Sequence, residues 1–335
     1  MLKLHLDRLF RIAERRKLFA PIRRAGVVDF GLWEPGADVD LETLTSRSAK
    51  GLFFPQSEDL MVFQMRGKAI EVEPAAVPDD MFVLFGVRAC DARSFAILDR
   101  VFLEGPVDTW YQARRSAGTV VALGCPGPLA ESCFCPVFGI DLAEPEGDAR
   151  AWVLDGELYL KAMTEKGEAL LKELDGEEVD DNALDAAKAD ARAKMAQNPL
   201  ADLDLTGLDG DHMMEMFNAP EWKALSKACL GCGACTYVCP TCQCYDIRDF
   251  DTGSGIQRFR CWDSCMFSDF TLMAHGNPRR TQLERFRQRF MHKLSYFPAN
   301  NDGIYACVGC GRCVGKCPMH VNIAKVIRAL GGKHI

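Results

Sequence analysis

The sequence lacks long hydrophobic runs and any excess of positive charge. No apolar stretch approaches the ~20 residues that a membrane-spanning helix needs. Residues 1–19, MLKLHLDRLFRIAERRKLF, are interrupted by charges and lack the apolar core of a signal peptide. The formal net charge of −7 argues against nucleic acid as the main partner. We therefore expect a cytoplasmic protein with no membrane span.

Motifs for nucleotide binding and for hydrolytic catalysis are also missing. No G-x-G-x-x-G follows a predicted strand and no Walker loop is present, so NAD and nucleotides have no recognisable site. No Ser/His/Asp arrangement or H-E-x-x-H motif occurs, and the six histidines are scattered. These absences turn attention to the cysteines.

Cysteine is abundant, with 16 in 335 residues. A reducing compartment disfavours structural disulfides, so this many thiols indicates metal binding. The pattern C-x-x-C-x-x-C-x-x-x-C-P occurs twice, from Cys229 to Pro240 and from Cys307 to Pro318. This is the spacing of bacterial two-cluster ferredoxins.

In such ferredoxins the first three cysteines of a motif bind one [4Fe-4S] cluster, and the fourth binds the other cluster. We therefore assign cluster one to Cys229, Cys232, Cys235 and Cys317. Cluster two is assigned to Cys239, Cys307, Cys310 and Cys313. The alternative is structural zinc, which uses two separated C-x-x-C pairs, often with histidine. The repeated ferredoxin spacing favours iron–sulfur clusters.

Residues 241–306 form a long insertion between the two motifs. Its own cysteines, whose spacing matches no established metal motif, are Cys242, Cys244, Cys261 and Cys265. They either bind a further metal or pack as small apolar side chains near cluster one. The basic segment 278–293 is predicted to be a helix. Its arginines either offset cluster charge and dock an acidic partner or form an ordinary solvated face.

The N-terminal half is predicted to be an α/β domain. Residues 81–87 and 119–124 are short, apolar, β-rich runs typical of buried strands. A helix follows the first run, and Asp91 is expected to cap it. Asp155-Gly156 separates two alternating runs within residues 151–163, which predicts a hairpin.

Both predicted core strands end at a loop that carries cysteine. Loops at the carboxyl ends of parallel strands converge on one crevice, where α/β proteins bind ligands. C-x-C suits chelation better than packing. We therefore expect a third [4Fe-4S] cluster at Cys90, Cys125, Cys133 and Cys135. The alternative is a set of buried or redox-active thiols without metal.

Four parts of the chain resemble a known family: residues 51–63, residues 85–102, CFC at 133–135, and CPTCQCYDI with RCWDSCM through to CVGCGRCVGKCP. They are similar to the beta subunit of cytoplasmic sulfhydrogenases and the A subunit of anaerobic sulfite reductase. They also resemble iron–sulfur subunits of flavin oxidoreductase complexes that feed heterodisulfide reductase. The resemblance implies an electron-relay subunit with two partners, a flavin-containing NAD(P)H oxidoreductase subunit and a catalytic redox subunit.

The predicted fold is α+β with two domains. Residues 1–200 form the α/β domain with the possible third cluster, and residues 210–335 form a mainly helical two-cluster ferredoxin-like domain carrying the insertion. We expect single electrons to pass between the flavin subunit and a hydrogenase, a sulfite reductase or a heterodisulfide reductase. The alternative function is a catalytic reductase whose active site is the N-terminal cysteine-ligated cluster.

Overall fold

The structure is a computed structural model that describes residues 1–332. Its strands are β1 Leu2–His5, β2 Lys17–Arg24, β3 Val27–Leu32, β4 Ser57–Arg66, β5 Ala69–Pro74, β6 Phe82–Val87, β7 Gly118–Leu123, β8 Ala149–Leu154, β9 Glu157–Ala162, β10 Glu177–Glu178, β11 Tyr245–Asp251 and β12 Gly255–Trp262. Its α-helices are α1 Leu6–Phe10, α2 Ala89–Phe102, α3 Thr109–Ala117, α4 Glu165–Leu171, α5 Asp185–Ala196, α6 Met213–Asn218, α7 Trp222–Ser226, α8 Ala234–Tyr237, α9 Gln282–Met291, α10 Phe297–Asn300, α11 Arg312–Gly315 and α12 Ile323–Leu330. Within this part of the chain, no helix is both long and apolar enough to cross a bilayer.

The larger sheet has the strand order β10-β1-β9-β8-β7-β6-β2-β3. Strands β2, β6, β7 and β8 run parallel, and antiparallel strands complete both edges. Every residue of β6 and β7 is buried. Val83 and Phe85 pack into one hydrophobic core, whereas Phe82 and Leu84 pack into another. Covered on both faces, these strands are continuous apolar runs, which confirms the two predicted buried strands.

Strands β8 and β9 confirm the predicted hairpin. They pair antiparallel, with Leu154 opposite Glu157. The two turn residues, Asp155 and Gly156, have φ angles of 53° and 79°. Two consecutive left-handed residues define a type I′ turn, whose twist matches that of the flanking strands.

Asp91 joins the two halves of the chain, and the prediction that it caps a helix is wrong. Arg88 occupies the N-cap of α2, and Asp91 lies within the first helical turn. Each carboxylate oxygen of Asp91 accepts a hydrogen bond from Arg312, at 2.7 Å. Their side chains are 0% and 1% exposed. The bidentate pairing compensates for taking both charges out of water.

The insertion between the cysteine motifs supplies strands to a second sheet, of order β11-β12-β4-β5. Strand β12 pairs antiparallel with β4 and places Arg260 opposite Glu58. The Arg260 guanidinium donates to Glu58 (2.9 Å) and also pairs with Asp108. The sequence analysis did not predict these strands, although the alternation of apolar and charged residues in β11 is a strand signal. The second sheet therefore draws strands from both halves of the chain.

Within the basic segment 278–293, Gln282–Met291 form the predicted helix, α9. Thr281 and Glu284 form a capping box at its start. A π-helical turn, His292–Tyr296, leads from α9 into α10. Helix α12 carries an apolar stripe, whose buried residues are Ile323, Ala324, Val326, Ile327 and Leu330. This stripe packs in the same core as Trp222, Phe286 and Phe290.

The buried Arg312–Asp91 pair gives a first prediction. Arg312→Met leaves the Asp91 carboxylate buried without a cation, at a cost of about 3–5 kcal/mol. The control Arg192→Met removes the exposed partner of Asp141 and should cost under about 1 kcal/mol. Thermal unfolding of both variants under anaerobic conditions checks this. Equal midpoints would show that the buried pair does not hold the halves together.

Candidate metal centres

The first motif and Cys317 surround one cavity. Its lining contains the four thiols assigned to cluster one, which are Cys229, Cys232, Cys235 and Cys317. Apolar side chains close the remaining walls, among them Met266, Phe286 and Phe290. Cys232 is exposed, whereas the other three cysteines are partly buried. The cavity therefore lies directly beneath the protein surface.

The second motif folds around Cys239, which comes from the end of the first motif. The charge of Cys239 acts on both Cys307 and Cys310, and Cys313 is a further charged neighbour of both. Thr241 links the two segments, because its hydroxyl donates to the carbonyl of Ala306 (2.7 Å) and contacts the Cys239 sulfur (3.3 Å). The structure thus places Cys317 with the first motif and Cys239 with the second.

The N-terminal thiols gather at the carboxyl ends of β6 and β7. One cavity is lined by Cys90, Cys125, Cys133 and Cys135. All four are buried, and burial raises the pKa of each thiol. Asn198 holds the loop in place by donating from its side-chain amide to the carbonyls of Cys133 and Glu131. A bound metal would displace the thiol protons, because thiolates are the ligands.

The second motif touches the N-terminal site directly. The N–H of Phe134 donates to the carbonyl of Gly309 (2.8 Å). A Cβ on Gly309 would overlap the Phe134 carbonyl, and one on Gly311 would overlap the Ser132 carbonyl. Both glycines have positive φ, 58° and 77°. Glycine therefore lets the two cysteine loops approach each other backbone to backbone.

The buried cations test whether these cavities suit an anionic cluster. Within residues 1–332 the buried Lys and Arg residues are Lys50, Arg88, Lys188, Arg260, Arg289, Lys293 and Arg312. Carboxylates pair with Lys188, Arg260 and Arg312. No carboxylate lies within 4 Å of Lys50, Arg88, Arg289 or Lys293 in the described chain, and each of these four has cysteine neighbours. Four thiolates around an iron–sulfur core would supply the missing negative charge.

Arg289 and Lys293 lie one helical turn apart and face the cysteines. The Nε of Arg289 is buried without an acceptor in the described structure, and its guanidinium neighbours Cys235 and Cys313. Burial acts to lower the Arg289 pKa, but the nearby thiolates outweigh it and the pKa is raised. Lys293 Nζ donates to Thr241 (2.8 Å) and the Ala306 carbonyl (3.0 Å). Of the two interpretations of the basic segment, these two residues fit the one that offsets cluster charge.

Lys50 and Arg88 are functional candidates that the sequence analysis missed. Arg88 lies beside Cys125. Its guanidinium donates hydrogen bonds to the carbonyls of Gly124 (2.9 Å) and Leu41. Burial lowers the pKa of Lys50 to about 8. No spacing signal marks either cation, because each meets its cysteines only in the folded chain.

The cysteine side chains that line these cavities are farther apart than the ligands of a single metal ion. In the described chain, no group of three or more Cys, His, Asp and Glu side chains converges at the spacing of a single-ion site. Among the insertion cysteines, Cys242 lies beside Cys239 and Cys265 lies near Cys235, whereas Cys244 contacts Cys265. Cys261 lies apart, with Arg248, Asp246 and Asp263 as its charged neighbours.

Comparison with known proteins identifies the chemistry. Residues 228–321 match the family model of the 4Fe-4S dicluster domain. The beta subunit of sulfhydrogenase 2 from Pyrococcus furiosus is 31% identical over 325 residues, covering 95% of this chain and 93% of that protein. No solved structure gives a significant match. The chain is thus an iron–sulfur electron-transfer subunit that carries [4Fe-4S] clusters, and the resemblance seen in the sequence is confirmed.

Arg289 gives a second prediction. Reduction adds negative charge to a cluster, so loss of the buried cation should lower the midpoint potential, on the order of 100 mV at an effective dielectric constant of about 20. Arg289→Gln is compared with Arg287→Gln, on the same helix, whose guanidinium stacks 3.6 Å from the Phe217 ring. EPR-monitored redox titration measures both. Equal midpoint potentials in the two variants would show that Arg289 does not set the potential of the clusters.

Proposed function

Because the chain belongs to the family of sulfhydrogenase beta subunits, we propose that it is the electron-relay subunit of a multisubunit oxidoreductase. It connects a flavin-containing subunit that oxidises NAD(P)H with a catalytic redox subunit. Hydrogenase, sulfite reductase and heterodisulfide reductase are the candidate catalytic partners. The observation that carries the proposal is the row of neighbouring thiol-lined sites, which begins inside the N-terminal half and ends at the surface.

Three clusters are proposed, with twelve cysteines as ligands. Cluster one uses Cys229, Cys232, Cys235 and Cys317. Cluster two uses Cys239, Cys307, Cys310 and Cys313. The third uses Cys90, Cys125, Cys133 and Cys135. When bound, each [4Fe-4S] cluster supplies the capacity to accept and release one electron, and its net charge and hydrogen bonds set the potential.

The protein's contribution is to hold the three thiol sets next to one another. Cys310 lines the N-terminal cavity and acts electrostatically on Cys90 and Cys135. Cys235 has Cys313 as a close charged neighbour. Ligands of the second set therefore adjoin both of the other sets, which makes the second set the middle of the relay.

The surface around Cys232 is the proposed docking face at one end of the relay. Leu230 and Met319 are 66% and 40% exposed there and line the cluster-one cavity. Lys227 and Lys316 flank them in sequence, are exposed, and have no carboxylate within 4 Å in the described chain. An apolar centre with an unpaired basic rim fits a partner that presents an acidic face.

The alternative of direct catalysis at the N-terminal site is less well supported. Each of its four cysteines is at most 8% exposed. A substrate needs an open position beside the reacting group, whereas an electron crosses a closed wall of side chains. The burial of this site therefore favours the relay.

Cys133→Ser tests the third cluster. Loss of one ligand from the N-terminal set should remove about four irons per chain and leave the ferredoxin pair in place. Iron and acid-labile sulfide are measured on anaerobically purified protein, with EPR of the reduced sample reporting the pair. Ser132→Ala, on the adjacent residue, serves as the control. Unchanged iron in Cys133→Ser would contradict a third cluster.

The docking face gives a separate prediction. Lys227→Glu combined with Lys316→Glu reverses the charge of the rim and should slow electron transfer with the partner subunit by about tenfold or more at low salt. The defect should shrink as salt screens the charges. Lys68→Glu, at the tip of the β4–β5 hairpin, is the matched control. A salt-independent rate equal to the control would place the docking face elsewhere.

A further inference from the structure

The loop of residues 268–281, inside the insertion, exposes two large apolar side chains. Leu272 and Met273 are 62% and 59% exposed. A single apolar side chain at a protein surface is ordinary, whereas two consecutive ones at the tip of a loop form a patch. The surroundings of this patch indicate what it contacts.

Both ends of the loop rest on the first cysteine motif. Phe267, which precedes the loop, packs so closely on Gly233 that a Cβ there would lie 2.7 Å from its ring. Gln282, which follows the loop, lies equally close to Gly231, and its Nε2 donates to the sulfur of Cys229 (3.4 Å). The two glycines flank the exposed cysteine of the motif. The loop therefore borders the docking face proposed for cluster one.

Hydrogen bonds within the loop hold its tip in a defined shape. The Thr271 hydroxyl donates to Oδ1 of Asn277 (2.8 Å), and the same oxygen accepts the N–H of Arg279 (2.9 Å). At the tip, the N–H of Met273 donates to the carbonyl of Gly276 (2.9 Å), and the N–H of Gly276 donates back (3.0 Å). A patch that is already ordered loses little conformational freedom when a partner binds it.

Positive charge lies beside the tip. Arg280 is exposed, and a Cβ added to Gly276 would lie 3.6 Å from its guanidinium. Among the residues that the structure describes, no carboxylate lies within 4 Å of Arg279 or Arg280. Asp269 is the one acidic residue of the loop. The loop thus repeats the pattern of the neighbouring docking face, an apolar centre with an unpaired basic rim.

We propose that the 268–281 loop docks the redox partner of cluster one, with Leu272 and Met273 entering an apolar pocket that has an acidic rim. Charge complementarity selects an acidic partner. A symmetric contact between two copies of this chain would place the basic rim against itself, which like-charge repulsion disfavours. This inference rests on the proposed relay function and extends its docking face from the first motif into the insertion.

Copurification of the redox subunits with a tagged chain tests the proposal in the assembled complex. Leu272→Ser/Met273→Ser should retain at least about tenfold less partner per chain than wild type, because buried apolar anchors carry most of the binding energy at an interface. The control Met65→Ser/Ile70→Ser removes side chains of similar exposure, 59% and 63%, which lie opposite each other in the β4–β5 hairpin. It should retain wild-type amounts of partner. Iron and acid-labile sulfide should be equal in all three proteins.

Photo-crosslinking identifies what the tip contacts. The complex is prepared with p-benzoylphenylalanine in place of Met273, irradiated, and analysed by mass spectrometry. The expected crosslink joins the tip to a redox subunit, at a peptide that contains Asp or Glu. The same replacement at Ile70 should give no crosslink to that subunit.

The outcomes separate the docking role from the relay itself. Wild-type partner retention in the loop variant, or a crosslink from the tip to a second copy of this chain, would overturn the docking role and leave the relay standing. Loss of iron in the loop variant would also count against it, because the loop would then support cluster one. Equal loss of partner in the control would likewise contradict a specific contact. A wild-type chain that copurifies with no redox subunit would instead refute the relay.

Discussion

The rest of this structure depends on buried lysine and arginine side chains that have no carboxylate partner. Removing a cation from water costs several kcal/mol unless an anion accompanies it. Lys50, Arg88, Arg289 and Lys293 are buried beside cysteines and have no carboxylate within 4 Å in residues 1–332, whereas the other buried cations have one. Thiolates, neutralised only in part by the iron that they bind, meet this need. The fold is therefore matched to anionic clusters.

The same constraint links the two halves of the chain. Lys50 and Arg88 come from the N-terminal half, and Lys50 extends to the carbonyl of Cys242 in the insertion. In the opposite direction, Arg312 of the second cysteine motif pairs with Asp91 of the N-terminal half. Sheet pairing between β4 and β12 fastens the halves further. The thiol-lined sites therefore lie between the two halves of the chain, except the cluster-one site, which lies at the protein surface. This arrangement is suited to carrying electrons across the protein.

The sequence predicts those features that depend on local spacing. The ferredoxin repeat indicates which thiols belong together, because a cluster demands fixed separations along the chain. The buried strands β6 and β7 are visible as continuous apolar runs. The pairing of β12 with β4 escapes prediction, because these two strands lie far apart in the sequence. The contact of Lys50 with the insertion is not predicted for the same reason, since Cys242 lies far from Lys50 in the sequence. The role of Asp91 was wrongly predicted because an acidic residue near the start of a helix can be either an N-cap or an ion-pair partner.

Together these features describe a protein whose chemistry lies in the placement of thiols and in the cations that surround them. The central claim is that three thiol-lined sites hold anionic clusters in one continuous row. Iron and acid-labile sulfide per chain, measured on anaerobically purified wild-type protein, test it most directly. The account predicts about twelve of each from three cubanes. About eight of each would contradict it, because the N-terminal thiols and Arg88 would then lack a cluster.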